Sequence, residues 1–393
     1  MENNTEMKLR AALLFLLLCF SEIAFSQSDS SRPVHIGFCY PLSTNGTDAP
    51  YITNGASFHA IAGVSFAEAS FCLSGVVSSV RSDARGLLLS GVLSITGGGM
   101  NGCMISGCTG IVRGSVKGLQ LSGCNGIAGS VSGCQLSGFS GVVKDSLTGA
   151  QVSGFASISR YAENQVSGFC NVARSVSGIQ LAGFANVAGA LSGMQCAGFI
   201  NTAKEISGVQ LSGFINIADK VKGAQIAGFI NIADSCEYPV GLINIIRSGE
   251  LWLGAEADET GSALLAFRSG SSHLYGILAA GVNNTGNKLR YALEGGLGLN
   301  TFSTKHFRLK TELTVTSVTA FDDGVYMRSA LRMLPAVRFG DRIELYGGIS
   351  GCFINTPQRD ALLPDLPYLW EHRRNGTFYG IALGAVAGIQ VRL

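Results

Sequence analysis

Gly178-Ile179-Gln180-Leu181-Ala182-Gly183-Phe184-Ala185-Asn186-Val187-Ala188 is followed, 15 residues on, by Gly193-Met194-Gln195-Cys196-Ala197-Gly198-Phe199-Ile200-Asn201-Thr202-Ala203. Gly208 to Ala218 and Gly223 to Ala233 continue the series, and Gly118, Gly133 and Gly149 open earlier units at spacings of 15 or 16. A degenerate unit starts at Glu163, worn copies open at Gly86 and Gly102, and the array runs from 86 to 249. A fixed period of this kind is the mark of a repeat architecture and decides the fold before any local propensity does.

Each unit reads G-h-Q-h-[SA]-G-F-h-N-h-A, with h mostly aliphatic, then a four-residue connector whose third residue is aliphatic. Gln180, Gln195, Gln210 and Gln225 mark one column, Asn186, Asn201, Asn216 and Asn231 a second, and Phe184, Phe199, Phe214 and Phe229 a third. A period of two with β-branched residues at the h positions predicts strand throughout. Two all-β architectures satisfy it. In a β-solenoid each unit is one coil, equivalent positions stack about 4.8 Å apart, and the three columns become two amide ladders and an aromatic stack. In an antiparallel meander each unit is one strand plus a turn, and the repeats join the rest of the chain in one large barrel.

The residue two before each opening Gly is Val116, Val131, Leu147, Val176, Leu191, Ile206 or Val221. A solenoid corner needs such an inward anchor and a hairpin loop does not. This favours the solenoid, with Gly supplying the positive φ of the corner. Either way the h positions are expected in the core, and with the Phe column packed there too, Phe214→Ala is expected to cost about 3 to 5 kcal/mol.

The whole chain has 393 residues, 53 of them Gly, with 47% hydrophobic and 14% charged residues. That is apolar and poorly charged for a globular protein. A net charge of +2 gives no dense basic field, which argues against an electrostatic nucleic-acid binder. Lys8 and Arg10 precede the apolar run Ala11 to Phe20, and Ala24-Phe25-Ser26 places small residues at a cleavage site. Residues 1–26 therefore read as a secretory signal removed before Gln27. No later run is long enough for a transmembrane helix, so any membrane span is β.

Ten cysteines follow the signal. Cys108 and Cys124 occupy positions where later units carry Phe, and Cys103, Cys134 and Cys196 replace aliphatics. They read as small apolar fillers, with one or two disulfides the alternative that export raises. Neither a CxxC pair nor a Cys/His cluster points to a metal.

The units, preceded by Tyr40-Pro41-Leu42-Ser43-Thr44-Asn45-Gly46 and Ala62-Gly63-Val64-Ser65, resemble the bacterial surface-repeat-containing proteins of spirochaetes and Bacteroidetes over residues 34 to about 249. The resemblance implies an exported, outer-membrane-associated protein and carries over no catalytic residue.

Beyond 249 charged residues return in strict alternation. Phe307, Leu309, Leu313 and Val315 share one face against Arg308, Lys310 and Glu312, and Tyr291, Leu293 and Leu297 oppose Arg290 and Glu294. The same parity holds for Met327, Leu331 and Met333 against Arg328 and Arg332, and for Leu345, Ile349 and Phe353 against Glu344. Residues 250–393 thus predict a barrel of about eight strands, the last running to Leu393. In an outer-membrane barrel the apolar face meets lipid and the polar face the lumen, and an exposed C-terminal strand is what barrel-assembly machinery reads. A soluble sandwich or lipocalin-like barrel would bury the same faces. Two alternating segments within 27–85, Val34 to Tyr40 and Phe58 to Val64, would make ten strands if they joined this set. Asn355 to Gly376, with Trp370 and Glu371-His372-Arg373-Arg374, reads as a solvated loop.

His35, His59, His273, His306 and His372 show no metal-ligand spacing, and the chain has no GxSxG elbow, P-loop or HExxH motif. Glu205, Asp219 and Asp234 end units and read as solvated corners. No catalytic residue, cofactor or metal is expected. The reading is a non-enzymatic outer-membrane or cell-surface repeat protein of a Gram-negative-type bacterium, with a structural or interaction role. Membrane lipid and barrel-assembly machinery are its expected partners, and nucleic acid is not. A transport or porin-type barrel is the second reading, and a carbohydrate-binding or carbohydrate-active β-helix the third.

Overall fold

The computed structural model describes residues 30–285, 288–319, 325–357, 366–374 and 376–393, so the signal assigned to 1–26 lies outside the described residues. Successive repeats pair in parallel and in register: Gly193 with Gly208, Gln195 with Gln210, Asn201 with Asn216. In a meander Gln195 would have met Asn216, so the single large barrel is excluded. The chain is all-β, 81% strand and 2% helix, a β-solenoid-like stack of about 13 turns followed by a closed eight-strand antiparallel barrel.

Corner chemistry builds the coil. Gly193, Gly208 and Gly223 have φ of 139°, 143° and 126°, a region that L side chains avoid. A Cβ at Gly208 would also overlap the Gly193 carbonyl of the preceding coil. Beside each corner the connector aliphatic turns inward, with Val116, Leu191, Ile206 and Val221 no more than 3% exposed.

The degenerate unit shows what replaces a missing Gly. Gln151 pairs with Gln165, one residue short of the usual offset, and the ladder slips between Leu147 and Ala150. The Asn164 side chain fills the gap, its Nδ2 donating to the Gly149 carbonyl at 3.1 Å and its Oδ1 accepting from the Ile179 N–H at 3.2 Å. Glu163 accepts from the Gly149 N–H at 2.8 Å. Side chains here do the bonding that backbone does in the other coils.

The stack begins well before residue 86. Ser31–Cys39 pairs in parallel with Thr53–Ser65, which pairs in parallel with Ala67–Ser74 and Val77–Val80. The strands within 27–85 are therefore the first coils and do not make a ten-strand barrel. Their alternation suits either setting, and pairing with the next coil satisfies their edge.

One expectation is inverted. The Gln and Asn columns lie inside the coil at 0% exposure, beside Ala197, Ala203, Ser212 and Ala218, which are no more than 5% exposed. The h positions and the Phe column point outward, Leu211 at 40%, Phe199 at 40% and Phe214 at 38% exposed. A coil of 15 residues encloses too little space for aromatic rings, whereas small residues and flat amides fit. The rings still stack: Phe199 lies 5.1 Å from Phe214, and Phe214 lies 5.3 Å from Phe229. Phe214→Ala is therefore expected to cost about 1 to 2 kcal/mol, from lost stacking and half-buried area, measured as a shift in the denaturant midpoint. A loss of the size expected for a core Phe would contradict the outward placement.

The barrel comprises Glu250–Asp258, Ser262–Gly270, Leu274–Thr285, Lys288–Ser303, Phe307–Thr319, Val325–Phe339, Ile343–Pro357 and Thr377–Arg392. The last strand closes on the first through pairs such as Gly254 with Gln390. Three-residue turns at 271–273, 304–306 and 340–342 lie on the side of the barrel where its first strand begins at Glu250 and its last ends at Arg392. Within Asn355 to Gly376, where sequence predicts a solvated loop, Tyr368–Arg374 forms a strand that pairs with Thr377–Ala382 and stays solvent-exposed. Leu242, the last residue of the Phe column, seats the solenoid on the outer barrel wall. A Cβ at Gly276 would overlap the Gly241 and Leu242 carbonyls, and the Ser269 hydroxyl accepts from the Asn244 N–H at 2.8 Å.

Candidate functional site

The columns singled out from sequence form two ladders of opposite polarity. Gln195 Nε2 donates to Gln180 Oε1 at 2.7 Å, Gln210 to Gln195 at 2.9 Å and Gln225 to Gln210 at 2.9 Å, each toward the preceding coil. Asn186 Nδ2 donates to Asn201 Oδ1 at 2.9 Å, Asn201 to Asn216 at 3.0 Å and Asn216 to Asn231 at 3.0 Å, each toward the following coil. The second N–H of Asn186, Asn201 and Asn216 goes to the Cys196, Leu211 and Ile226 carbonyls. Except for Gln225 Oε1, which ends its ladder without a partner, the oxygens of these amides are hydrogen-bonded, and all of them are sealed from solvent, so they hold the coils together and offer no ligand a contact. Phe184, Phe199, Phe214 and Phe229 form the outer stack. Glu205, Asp219 and Asp234 are exposed at the connectors.

The densest polar chemistry lies in the barrel lumen. Strand alternation sends every second side chain inward, and this places Glu256, Arg268, Glu294, Glu312, Arg332 and Glu344 inside, each 5% exposed or less. Arg268 pairs with Glu256 at 2.6 Å and with Glu312 at 2.9 Å. Arg332 bridges Glu294 at 2.7 Å and Glu256 at 3.2 Å. Arg328 pairs with Asp258 at 2.6 Å and Glu259 at 2.8 Å, and Lys310 with Glu344. Tyr346 donates to Glu256 at 2.7 Å and Tyr275 to Glu312 at 2.8 Å. The network joins charges 12 to 76 residues apart in sequence. The space left between Glu250, Arg268, Tyr275 and Lys310 measures about 10 Å³, room for about one water. Mutually neutralised charges packed this closely form a plug.

A third cluster fills the first coils, at column positions that hold aliphatics further on. Asn54 and Glu68 align with Ala84 and Met100. Ser57 donates to Glu68 Oε1 at 2.7 Å, and the Asn54 Nδ2 lies 3.4 Å from the same oxygen. The His35 and His59 rings meet edge to face, Nδ1 to Nε2 at 3.2 Å, and His59 Nδ1 lies 3.2 Å from the Ser74 hydroxyl. Burial pushes the Glu68 carboxyl up to about 7 against these hydrogen bonds. Burial, then His35, pulls His59 down to about 4. His35, Ser57, His59 and Glu68 are no more than 6% exposed. A serine and a histidine this enclosed meet no substrate, and the cluster is a polar core. The sequence reading missed it, although His35 and His59 alternate with the outward-facing Val34, Ile36, Phe58 and Ala60.

The two groups pull stability in opposite directions. A carboxyl whose folded value lies above its ordinary 4.5 binds extra protons in the folded state, so its contribution is complete below 4.5 and is lost as pH rises through about 7. His59, held below its ordinary 6.5, destabilises as pH falls from 6.5 through about 4. Glu68→Gln is expected to stabilise the first coils at pH 8 by about 2 to 3 kcal/mol and to abolish the loss between pH 4.5 and 7. Hydrogen exchange of residues 53–80 at pH 5 and pH 8 checks it. Unchanged protection at both values would show that Glu68 is hydrated.

None of the protein-family models, curated proteins or solved structures compared matches the chain.

Proposed function

We propose that this is a non-enzymatic outer-membrane protein in which the barrel is a closed anchor and the solenoid a rigid scaffold with a structural or interaction role. The supporting observation is the barrel's polarity. Its lumen is a plug of paired charges, while Leu265, Leu293, Leu313, Leu331 and Ile349 stand on the outer wall at 57 to 67% exposure. Water would penalise that wall and a bilayer would not. Among the described residues no helix is long and apolar enough to cross a membrane, so the reading rests on strands. The secretory signal and the likeness to surface-repeat proteins point the same way. The packed lumen disfavours the porin-type reading, and the enclosed amide ladders disfavour a carbohydrate site within the coils.

Membrane fractionation, heat-modifiable gel mobility and planar-bilayer conductance test it together. The expected result is membrane recovery, a mobility shift on boiling and no ion conductance. Recovery in the soluble fraction without a shift would remove the anchor reading, and steady conductance would restore the porin reading.

A further inference from the structure

The Phe column is not evenly spread along the stack. Ile61, Val76, Val92, Cys108 and Cys124 hold this corner in the coils farther along the chain from the barrel, and Phe takes it in the seven coils that lead to it, from Phe139 to Phe229. The seven rings are parallel or nearly so, with six spacings of 4.9 to 5.3 Å, about 30 Å in all. Aliphatics flank them on both sides, Val166, Leu211 and Ile226 along one strand column and Val172, Val187 and Ile158 along the other, each at least 37% exposed. Every charged residue from 166 to 234 lies instead in a connector, as Lys204, Glu205, Asp219 and Lys220 do. Where these coils carry charge they thus carry it on the connector edge, and each presents an apolar corner with apolar flanks.

What meets that corner follows from where the column ends. Leu242, its last member, rests on the outer barrel wall at Gly276, with Gly295 beside it, and Leu278 and Leu293 belong to the same outward face. The aromatic corner therefore runs without interruption into the wall that the proposed function assigns to lipid. We infer that the Phe139–Phe229 corner is a lipid-binding ridge: it embeds in the apolar layer of the membrane beside the barrel and keeps the connector edge in water. Segregated apolar and charged faces are what hold a surface-lying element at a membrane interface, and an apolar strip of this length is not left bare on a soluble body. This inference rests on the membrane-barrel reading.

The test uses the full-length wild-type protein in phosphatidylethanolamine and phosphatidylglycerol vesicles, labelled by a lipid-soluble photoactivated carbene and, separately, by a water-soluble one, with residue-level mass spectrometry. The expected result is lipid-phase labelling at Phe169, Phe184 and Phe199 comparable with that at the wall residues Leu293 and Leu313, and several-fold above that at Lys204 and Asp219. The aqueous reagent should give the reverse. Labelled wall residues with an unlabelled corner would overturn the ridge and leave the barrel reading intact. A corner protected from both reagents would likewise overturn it, in favour of a second copy of the chain. Unlabelled wall and corner together would bring down both readings.

Discussion

Asn201→Ala is expected to destabilise the solenoid by about 3 to 6 kcal/mol, the sum of roughly three buried groups left without partners. Asn201 Oδ1 accepts from Asn186 Nδ2 at 2.9 Å, and its own Nδ2 donates to Asn216 Oδ1 at 3.0 Å and to the Leu211 carbonyl at 2.7 Å. Removing the amide strips a donor from two acceptors and an acceptor from one donor, in an interior where Asn186, Asn201 and Asn216 are all at 0% exposure. Coils interact chiefly with their neighbours, so the damage is local. Hydrogen exchange should accelerate across 186–216 and stay near its native rate at 90–106. Thr202→Ala, one residue away on the outer face, is expected to change stability by no more than about 0.5 kcal/mol. A loss below about 1 kcal/mol for Asn201→Ala would mean that water reaches the ladder.

That ladder also shows where sequence and structure part. Parallel stacking was legible because an aliphatic recurs two residues before each corner Gly, and Val116, Ile206 and Val221 have no reason to be there unless the connector faces a core. Strand alternation is symmetric between its two faces, however, and hydrophobicity names the wrong one as interior. The sign of the answer lies in size. Ala197 shares a face with Gln195, and Ala203 shares one with Asn201, so the column partners of the amides are the smallest side chains in the unit. Flat amides that bond along the stack fill such a narrow space, and large rings are excluded from it.

The barrel was legible for the opposite reason. Four of its strands, Lys288–Ser303, Phe307–Thr319, Val325–Phe339 and Ile343–Pro357, set charged residues against Leu, Ile, Val or Met in alternation, and closure of eight alternating strands needs little beyond connecting turns. The ion pairing was not legible. Arg268 meets Glu312 across 44 positions and Arg332 meets Glu256 across 76, and those partners depend on strand tilt and stagger, which alternation leaves open. The polar cluster at His35, His59 and Glu68 was hidden because its members come from three coils and no fixed spacing joins them.

Glu312→Leu carries the largest expected effect on the barrel, a loss of about 3 to 5 kcal/mol, because it leaves buried charge uncompensated. Glu312 accepts from Arg268 Nε at 2.9 Å and Nη2 at 3.2 Å and from the Tyr275 hydroxyl at 2.8 Å, and among the described residues no other carboxylate is in place to take over all three. Arg268 would keep Glu256 at 2.6 Å, but that carboxylate already serves Arg332 at 3.2 Å and Tyr346 at 2.7 Å. Urea unfolding of the detergent-solubilised protein, followed by the gel-mobility shift, measures the loss. Adding Arg268→Met should recover most of it, since removing both partners of a buried pair leaves no orphaned charge. A positive coupling in that cycle assigns the effect to the pair and not to a general disturbance of the wall. Near-neutral behaviour of Glu312→Leu would mean that water solvates Arg268, and a wet lumen in which Arg268, Arg290, Arg308, Lys310, Arg328 and Arg332 have lost one of their balancing carboxylates is an ion path with a gain in anion preference. The plug and the pore thus predict opposite signs for one substitution: in a plug it weakens a closed anchor, and in a pore it leaves stability alone and raises anion conductance.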